Sequence, residues 1–339
     1  MLNTNPDFSY YLQFNNKMVR ALAWVLKSPG LLSTPLASTS KLNTPQLVSS
    51  QSVNNDWAEG LTDEWLLELD KQPDALLEWV NKKPSYRLGI RFERLLLFIF
   101  HKLQQQNLIE NLNYNIPVYD ESHRTLGELD IVYFDRQKQQ RFHWENTVKF
   151  YLFRPEEYTF ERWVGPNGSD WLQRKLEHLF LRQLGITNSP EGKMTLSACF
   201  SKEQNETLLN RMALVKGYLF KPLETKCNFN HEESDLINSL CESGWWAYSN
   251  QFHLADPEQK GRWRVIDKLD WIVPQFYPYQ DDEMLKPNEM SLKIKYHFSQ
   301  SKRSLMLAHF HLDEVTQTWV EKDRGILVDK LWPSYNHAS

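Results

Sequence analysis

The chain of 339 residues is 41% hydrophobic and 24% charged, which places it among globular proteins with a sizeable core and excludes fibres and small disulfide-stapled scaffolds. Thirty-nine basic against 43 acidic residues leave a net charge of −4, so any contact with nucleic acid must be local rather than a matter of bulk charge. Three cysteines (Cys199, Cys227, Cys241) are too few for a disulfide framework, and the chain shows neither an apolar run near the roughly 20 residues that cross a bilayer nor a secretory signal; a cytoplasmic protein without a membrane span is expected.

Val19, Leu22, Val25 and Leu26 share one face of a short helix that Pro29 and Gly30 end, giving an N-terminal helical segment over 1–32. Residues 33–56 are rich in Ser, Thr, Asn and Gln, a composition that cannot offset ordering entropy, and predict a flexible linker. An α/β core is expected over 57–200. It begins with helices over 57–69, 75–82 and 88–105. The period then changes to two, predicting strands over 114–118, 128–134 and 141–153, the last two joined by the polar loop 135–140. Gly165, Pro166, Asn167 and Gly168 form a turn before a helix over 171–183, with Ser169 or Asp170 as its cap.

Residues 201–339 read as an α+β region. Strands are expected over 194–200, at the junction with the core, and over 212–220, 263–273, 290–298 and 305–312, with helices over 232–243 and 313–321. Periodicity leaves open whether this region extends the first sheet or stands alone. The fold class expected is α/β, a mixed central sheet flanked by helices with an α+β C-terminal part.

Three acids draw attention. Glu93 sits at the edge of the apolar stripe Leu88, Phe92, Leu95, Leu96, Ile99 and Leu103, where an unpaired charge is expensive; a salt bridge to Arg91 or Arg94, or simple exposure, is the plain explanation. In the strand ELDIVYF, alternation puts Glu128 and Asp130 on the face of Val132 and Phe134. In the next strand His143, Glu145, Thr147, Lys149 and Tyr151 share a face. That face is either a polar stripe across a buried sheet or the solvated side of a hairpin.

An acid on a preceding helix, an acid in one strand and an acid with a lysine in the next resemble the PD-(D/E)XK nuclease superfamily. The resemblance implies that Asp130 and Glu145 hold Mg²⁺ or Mn²⁺ with Glu93 as a further ligand, and that Lys149 serves the attacking water or the charge on the phosphoryl group. The strings LGIRFERLL, TLGELDIVYFD, HWENTVKFYL, VGPN, KGYLF and RWRVIDKLDWI are also similar to an uncharacterised bacterial family of about this length that is grouped with that superfamily. One position departs from the usual spacing. Thr147 stands two residues before Lys149, where the acid is usual, and Glu145 lies four residues before the lysine, roughly 13 Å along a strand.

Oxygen-rich ligands suit a hard cation, and no Cys/His cluster points to zinc; Cys227 and His231 have no second pair. The GPN turn offers backbone N–H groups that would suit a phosphate, with Lys175 on the following helix as a candidate substrate contact, although an ordinary cap is the simpler reading. Of the thirteen tryptophans, Trp245, Trp246, Trp263 and Trp271 raise the question of base stacking, with core packing the commoner role. The leading expectation is a divalent-metal-dependent nuclease acting on DNA or RNA through a local site. The alternatives are a nuclease-fold protein that only binds nucleic acid or a protein partner, and an unrelated interaction protein whose acids make surface ion pairs.

Overall fold

The computed structural model describes residues 8–32, 46–47, 61–82, 84–155, 162–223 and 237–333. Apart from 46–47, the expected linker lies outside the described residues. So do the start of the helix predicted from 57, Cys227, His231 and the first part of the helix predicted over 232–243.

Helix α1 (Lys17–Lys27) starts where the Asn16 side chain accepts from the Met18 and Val19 amides. The short helices α2 (Asp63–Lys71) and α3 (Asp74–Asn81) lead to α4 (Leu88–Gln105), whose stripe Leu88, Phe92, Leu95, Leu96, Ile99 and Leu103 is buried as the 3.6-residue period requires. Asn107, at φ 58°, turns the chain out of α4 in the left-handed region that asparagine tolerates, and the Leu108 amide bonds back to the Leu103 carbonyl at 3.0 Å.

The strands are β1 (Gln46–Leu47), β2 (Ile109–Tyr119), β3 (Thr125–Asp135), β4 (Gln140–Phe153), β5 (Trp163–Val164), β6 (Leu209–Pro222), β7 (Ser243–Tyr248), β8 (Arg262–Ile266), β9 (Phe276–Pro278), β10 (Leu305–Asp313) and β11 (Thr318–Val328). Among the described residues these eleven form one mixed sheet whose main path runs β2-β3-β4-β6-β7-β11-β10-β8. Its middle, from β4 through β6 and β7 to β11, is parallel, and both ends are antiparallel. The C-terminal strands therefore continue the first sheet.

On one face, α1 and α4 pack over Ile131, Tyr133, Phe142, Trp144, Val148 and Phe150, with Phe100 edge-on to Trp144. The other face is covered over β3, β4 and β6 by the crossover from β4 to β6. That crossover comprises α5 (Leu172–Glu177), a π-helical turn (His178–Gln183), a 3-10 turn (Leu184–Asn188), α6 (Pro190–Ser197) and α7 (Lys202–Asn205). A separate cluster joins α8 (Pro287–Gln300) to β7, β8 and β10 through Met290, Ile294, Ala247, Trp263 and Leu307. Trp246, Trp263 and Trp271 are core residues, and Trp245 is tied to Asp323 at 2.8 Å.

Several local expectations are corrected. Residues 194–197 of the strand expected over 194–200 belong to α6 and 198–200 form the turn that follows, because Pro190 at its first turn and the Ser189 side chain, accepting from the Gly192 amide, start a helix there. The strand expected over 290–298 is α8, opened by Pro287, with Glu289 receiving the Lys286 amide at 2.7 Å. The helix expected over 313–321 is a turn followed by β11: Asp313 Oδ1 accepts the Val315 and Thr316 amides, and Gln317, at φ 52°, reverses the chain. Strand β8 stops at Ile266 and a 3-10 turn (Lys268–Asp270) follows. In the described part of the segment expected as a helix over 232–243, Ile237 bridges to Leu32 and Ser243 begins β7.

Candidate functional site

Strands β3 and β4 pair from Asp135/Gln140 to Ile131/Trp144, and their ladder stops there. Strand β4 carries on beside β6, pairing in parallel from Arg141/Leu209 to Leu152/Phe220. Asp130 and Glu145, the next residues in register, thus stand at a fork between strands. Side chains replace the ladder at that point. The Asp130 amide donates to Glu145 Oε1 at 3.4 Å, while the Asn146 amide and Nδ2 donate to Asp130 Oδ2 at 2.9 and 3.1 Å.

The sheet is irregular at the same level on its other side. Asn115 lies in β2 between the pairs Tyr114/Ile131 and Ile116/Leu129, opposite Asp130, and has a left-handed φ of 53°. Its Nδ2 donates to Glu93 Oε1 at 2.6 Å. Glu93 is therefore held by an amide rather than by the arginines beside it in α4. Arg91 meets Asp270, and Arg94 reaches the Trp79 carbonyl.

The face carrying His143 and Glu145 is not solvated. Both side chains have 0% exposure beneath the crossover segment, whereas Asp130 keeps some solvent access. His143 Nε2 lies 2.9 Å from Glu145 Oε1, and burial pushes its pKa down to about 4, so the ring is neutral at pH 7 and cannot balance the acids. Burial raises the pKa of both Asp130 and Glu145, and the charge of Glu145 raises Asp130 further. Glu93 is close enough to add to the shift on Asp130 and on Glu128, whose first cause is again burial. Ionising both acids would leave negative charge at the fork that the protein around it does not fully compensate.

Two ammonium groups lie on this face of the sheet, Lys175 from the crossover and Lys149 from β4 itself. Gln183, the last residue of the π turn, donates from Nε2 to Glu145 Oε2 at 2.7 Å and accepts Lys175 Nζ on Oε1 at 2.9 Å. Burial lowers the pKa of Lys175, and the neighbouring Lys149 lowers it further, against the opposing pull of Asp130, Glu145 and Asp170. Lys149 Nζ itself donates to Asp170 Oδ2 at 2.5 Å. Asp170 is thus an ion-pair partner and not the expected cap; α5 starts after Trp171 with no side-chain cap, and neither Ser169 nor Asp170 fills that role.

Asp130 and Glu145 accordingly meet at one fork, and Glu93 stands beside it on Asn115. Lys175 is linked to Glu145 through Gln183, and Lys149 stands one ion pair away on Asp170. Sequence reasoning placed His143 on the polar face but gave it no part, and it missed Gln183, Asn115 and Asn146. His143 carried a signal, its parity with Glu145. Gln183 carried none, because its position depends on the π turn.

Among the described residues no three His, Cys, Asp or Glu side chains already form a ligand set for a metal ion. The donors at the fork nevertheless fit a hard divalent cation: they are oxygens, two belong to acids with raised pKa values, and Mg²⁺ commonly takes one or two carboxylates and completes its shell with water. Asn146 and Asn115, which now donate to Asp130 and Glu93, and Gln183 and the Asp130 amide, which donate to the two Glu145 oxygens, would have to share or release those oxygens.

The fold and site define a mixed α/β protein with an acidic pair, Glu145 buried and Asp130 partly so, where two strands part. A family model matches residues 20–328, and the chain belongs to that family, described as a domain of unknown function (DUF1853). No curated protein and no solved structure matches the chain. Among the described residues no helix is long and apolar enough to cross a membrane.

Proposed function

We propose that this protein is a nuclease that hydrolyses phosphodiester bonds with Mg²⁺ or Mn²⁺ bound at the Asp130–Glu145 fork. The observation that carries the reading is the placement of two acids with raised pKa values at the end of a strand ladder, within one relay of a half-buried lysine. The resemblance of Glu93, Asp130, Glu145 and Lys149 to the PD-(D/E)XK pattern supports the same chemistry. When bound, the ion supplies a Lewis acid for the phosphoryl oxygens and lowers the pKa of a coordinated water.

The chain's own groups do the rest. Asp130 and Glu145 bind the ion, Gln183 and His143 fix the rotamer of Glu145, and Glu93 adds a carboxylate at the rim. Lys175 and Lys149 bring positive charge toward the phosphate. A cytoplasmic setting suits the free thiols Cys199 and Cys241.

A second reading, a nuclease-fold protein that binds without cleaving, draws support from Thr147 at the usual acid position, where it cannot replace a carboxylate, and from the two Asn146 donors on Asp130. Incubation of a labelled DNA and RNA panel with Mg²⁺ or Mn²⁺ separates the two. The nuclease reading expects ion-dependent cleavage that falls at least about 100-fold in Asp130→Asn and Glu145→Gln. Wild-type inertness across the panel would favour the binding-only reading.

A further inference from the structure

A groove of about 1070 Å³ lies apart from the acidic fork, bounded by Tyr86 before α4, Asn167, the turn after β8 and the segment between α8 and β10. Its lining carries three full cations, Lys268, Lys302 and Arg303, against one acid, Asp267, on a chain whose net charge is −4. All three cations are exposed, and none forms an ion pair among the described residues. The segment that presents two of them is fixed: the Ser301 amide donates to the His297 carbonyl at 2.9 Å, the Arg303 amide to Ser301 Oγ at 3.1 Å, and His297 Nε2 lies 2.8 Å from the Arg303 carbonyl.

Tyr86 is 94% exposed and also lines a smaller hollow of about 170 Å³ beside Arg91 and Arg94. An aromatic ring left in water in the same groove as Lys268, Lys302 and Arg303, which form no ion pair among the described residues, is the combination that recognises unpaired bases on a phosphate backbone. The groove is also joined to the elements of the fork. Tyr86 leads into α4, which carries Glu93. Asn167 belongs to the turn closed by the Gly165 amide on the Asp170 carbonyl at 2.7 Å, and Asp170 holds Lys149.

We infer that this groove takes a single strand of nucleic acid, with Lys268, Lys302 and Arg303 on phosphates and Tyr86 stacked on a base. The inference deepens the nuclease reading, on which it rests for the class of substrate, and adds that the strand is unpaired.

The test is fluorescence anisotropy of the full chain with labelled oligothymidylate, oligouridylate and a hairpin duplex, in EDTA so that nothing is cleaved, over a range of KCl concentrations. Wild type is expected to bind single strands more tightly than the duplex, with affinity falling as salt rises. Combining Lys302→Ala with Arg303→Ala should weaken binding about tenfold and reduce the log–log salt slope by about 0.7 for each phosphate that is no longer neutralised. Tyr86→Ala should weaken it about fivefold or more at an unchanged slope, and Tyr86→Phe should restore it.

Absence of wild-type binding at low salt, tighter binding of the duplex, or groove variants that bind like wild type would overturn the inference. Groove-dependent binding without any cleavage in Mg²⁺ or Mn²⁺ would sink the nuclease reading alone. Cleavage at wild-type KM by the groove variants would sink the groove alone.

Discussion

Glu145 is the residue on which the site turns. A carboxyl group with no solvent access has its pKa raised by burial, and its neighbours His143 and Gln183 hold it without supplying a positive charge. In the unfolded chain the same group is an ordinary glutamate. Because its folded pKa lies above the unfolded value, the acid costs stability once the pH exceeds the unfolded pKa. That cost grows until the pH passes the folded pKa, near 7, and is relieved on acidification. Glu145→Gln, which keeps the shape and removes the charge, should therefore raise stability at pH 8 by on the order of 2 kcal/mol, with a smaller gain at pH 5. Thermal melts in EDTA at the two pH values check this; an equal or larger gain at pH 5 would mean that the charge is compensated. Lys216 is the basic counterpart. It is fully buried in β6 on the Ser28 carbonyl, and burial lowers its pKa to about 7. Its folded pKa lies below the unfolded one, so its cost is largest below pH 7 and disappears as the pH rises toward the unfolded value. Lys216→Met should stabilise the chain more at pH 6 than at pH 10, read from the same melts.

At the scale of elements, the fork depends on how closely β6 approaches β4. Gly217 pairs with Lys149 at φ 138°, and a Cβ there would fall 1.6 Å from the Lys149 carbonyl oxygen. Gly217→Ala should push the strands apart beside Lys149 and cost about 2 kcal/mol or more, seen as a lower urea midpoint; an unchanged midpoint would mean that the close approach is dispensable. Helix α4 and strand β4 were legible from sequence because their periods are unambiguous and their apolar faces are buried as the pattern requires. Helix α8 was not. Met290, Leu292, Ile294, Tyr296 and Phe298 alternate as a strand would, yet Met290 and Ile294 are buried at helical spacing while Leu292 and Tyr296 are 67% and 72% exposed. The cue lay upstream in Pro287. The fork itself was half legible: parity put Asp130 and Glu145 on their strands, but the end of the ladder, the left-handed Asn115 and the π turn that delivers Gln183 are properties of backbone geometry that no spacing encodes.

Across the whole molecule, one sheet carries both halves of the chain, and the parallel pairings of β6 with β4 and β7 are the seam. The acidic fork and the basic groove are separate regions of that frame, joined through α4 and the 165–170 turn. The groove concentrates positive charge on a chain that is slightly acidic overall, and binding of an anionic polymer should depend steeply on salt while metal binding depends on it weakly.

The most direct measurement is calorimetric titration of the full chain with Mn²⁺. The account predicts saturable binding of an ion at the fork that is lost in both Asp130→Asn and Glu145→Gln and kept in the combined Lys302→Ala, Arg303→Ala variant. Absence of Mn²⁺ binding by the wild type, or binding that persists unchanged when both fork acids are neutralised, would contradict it.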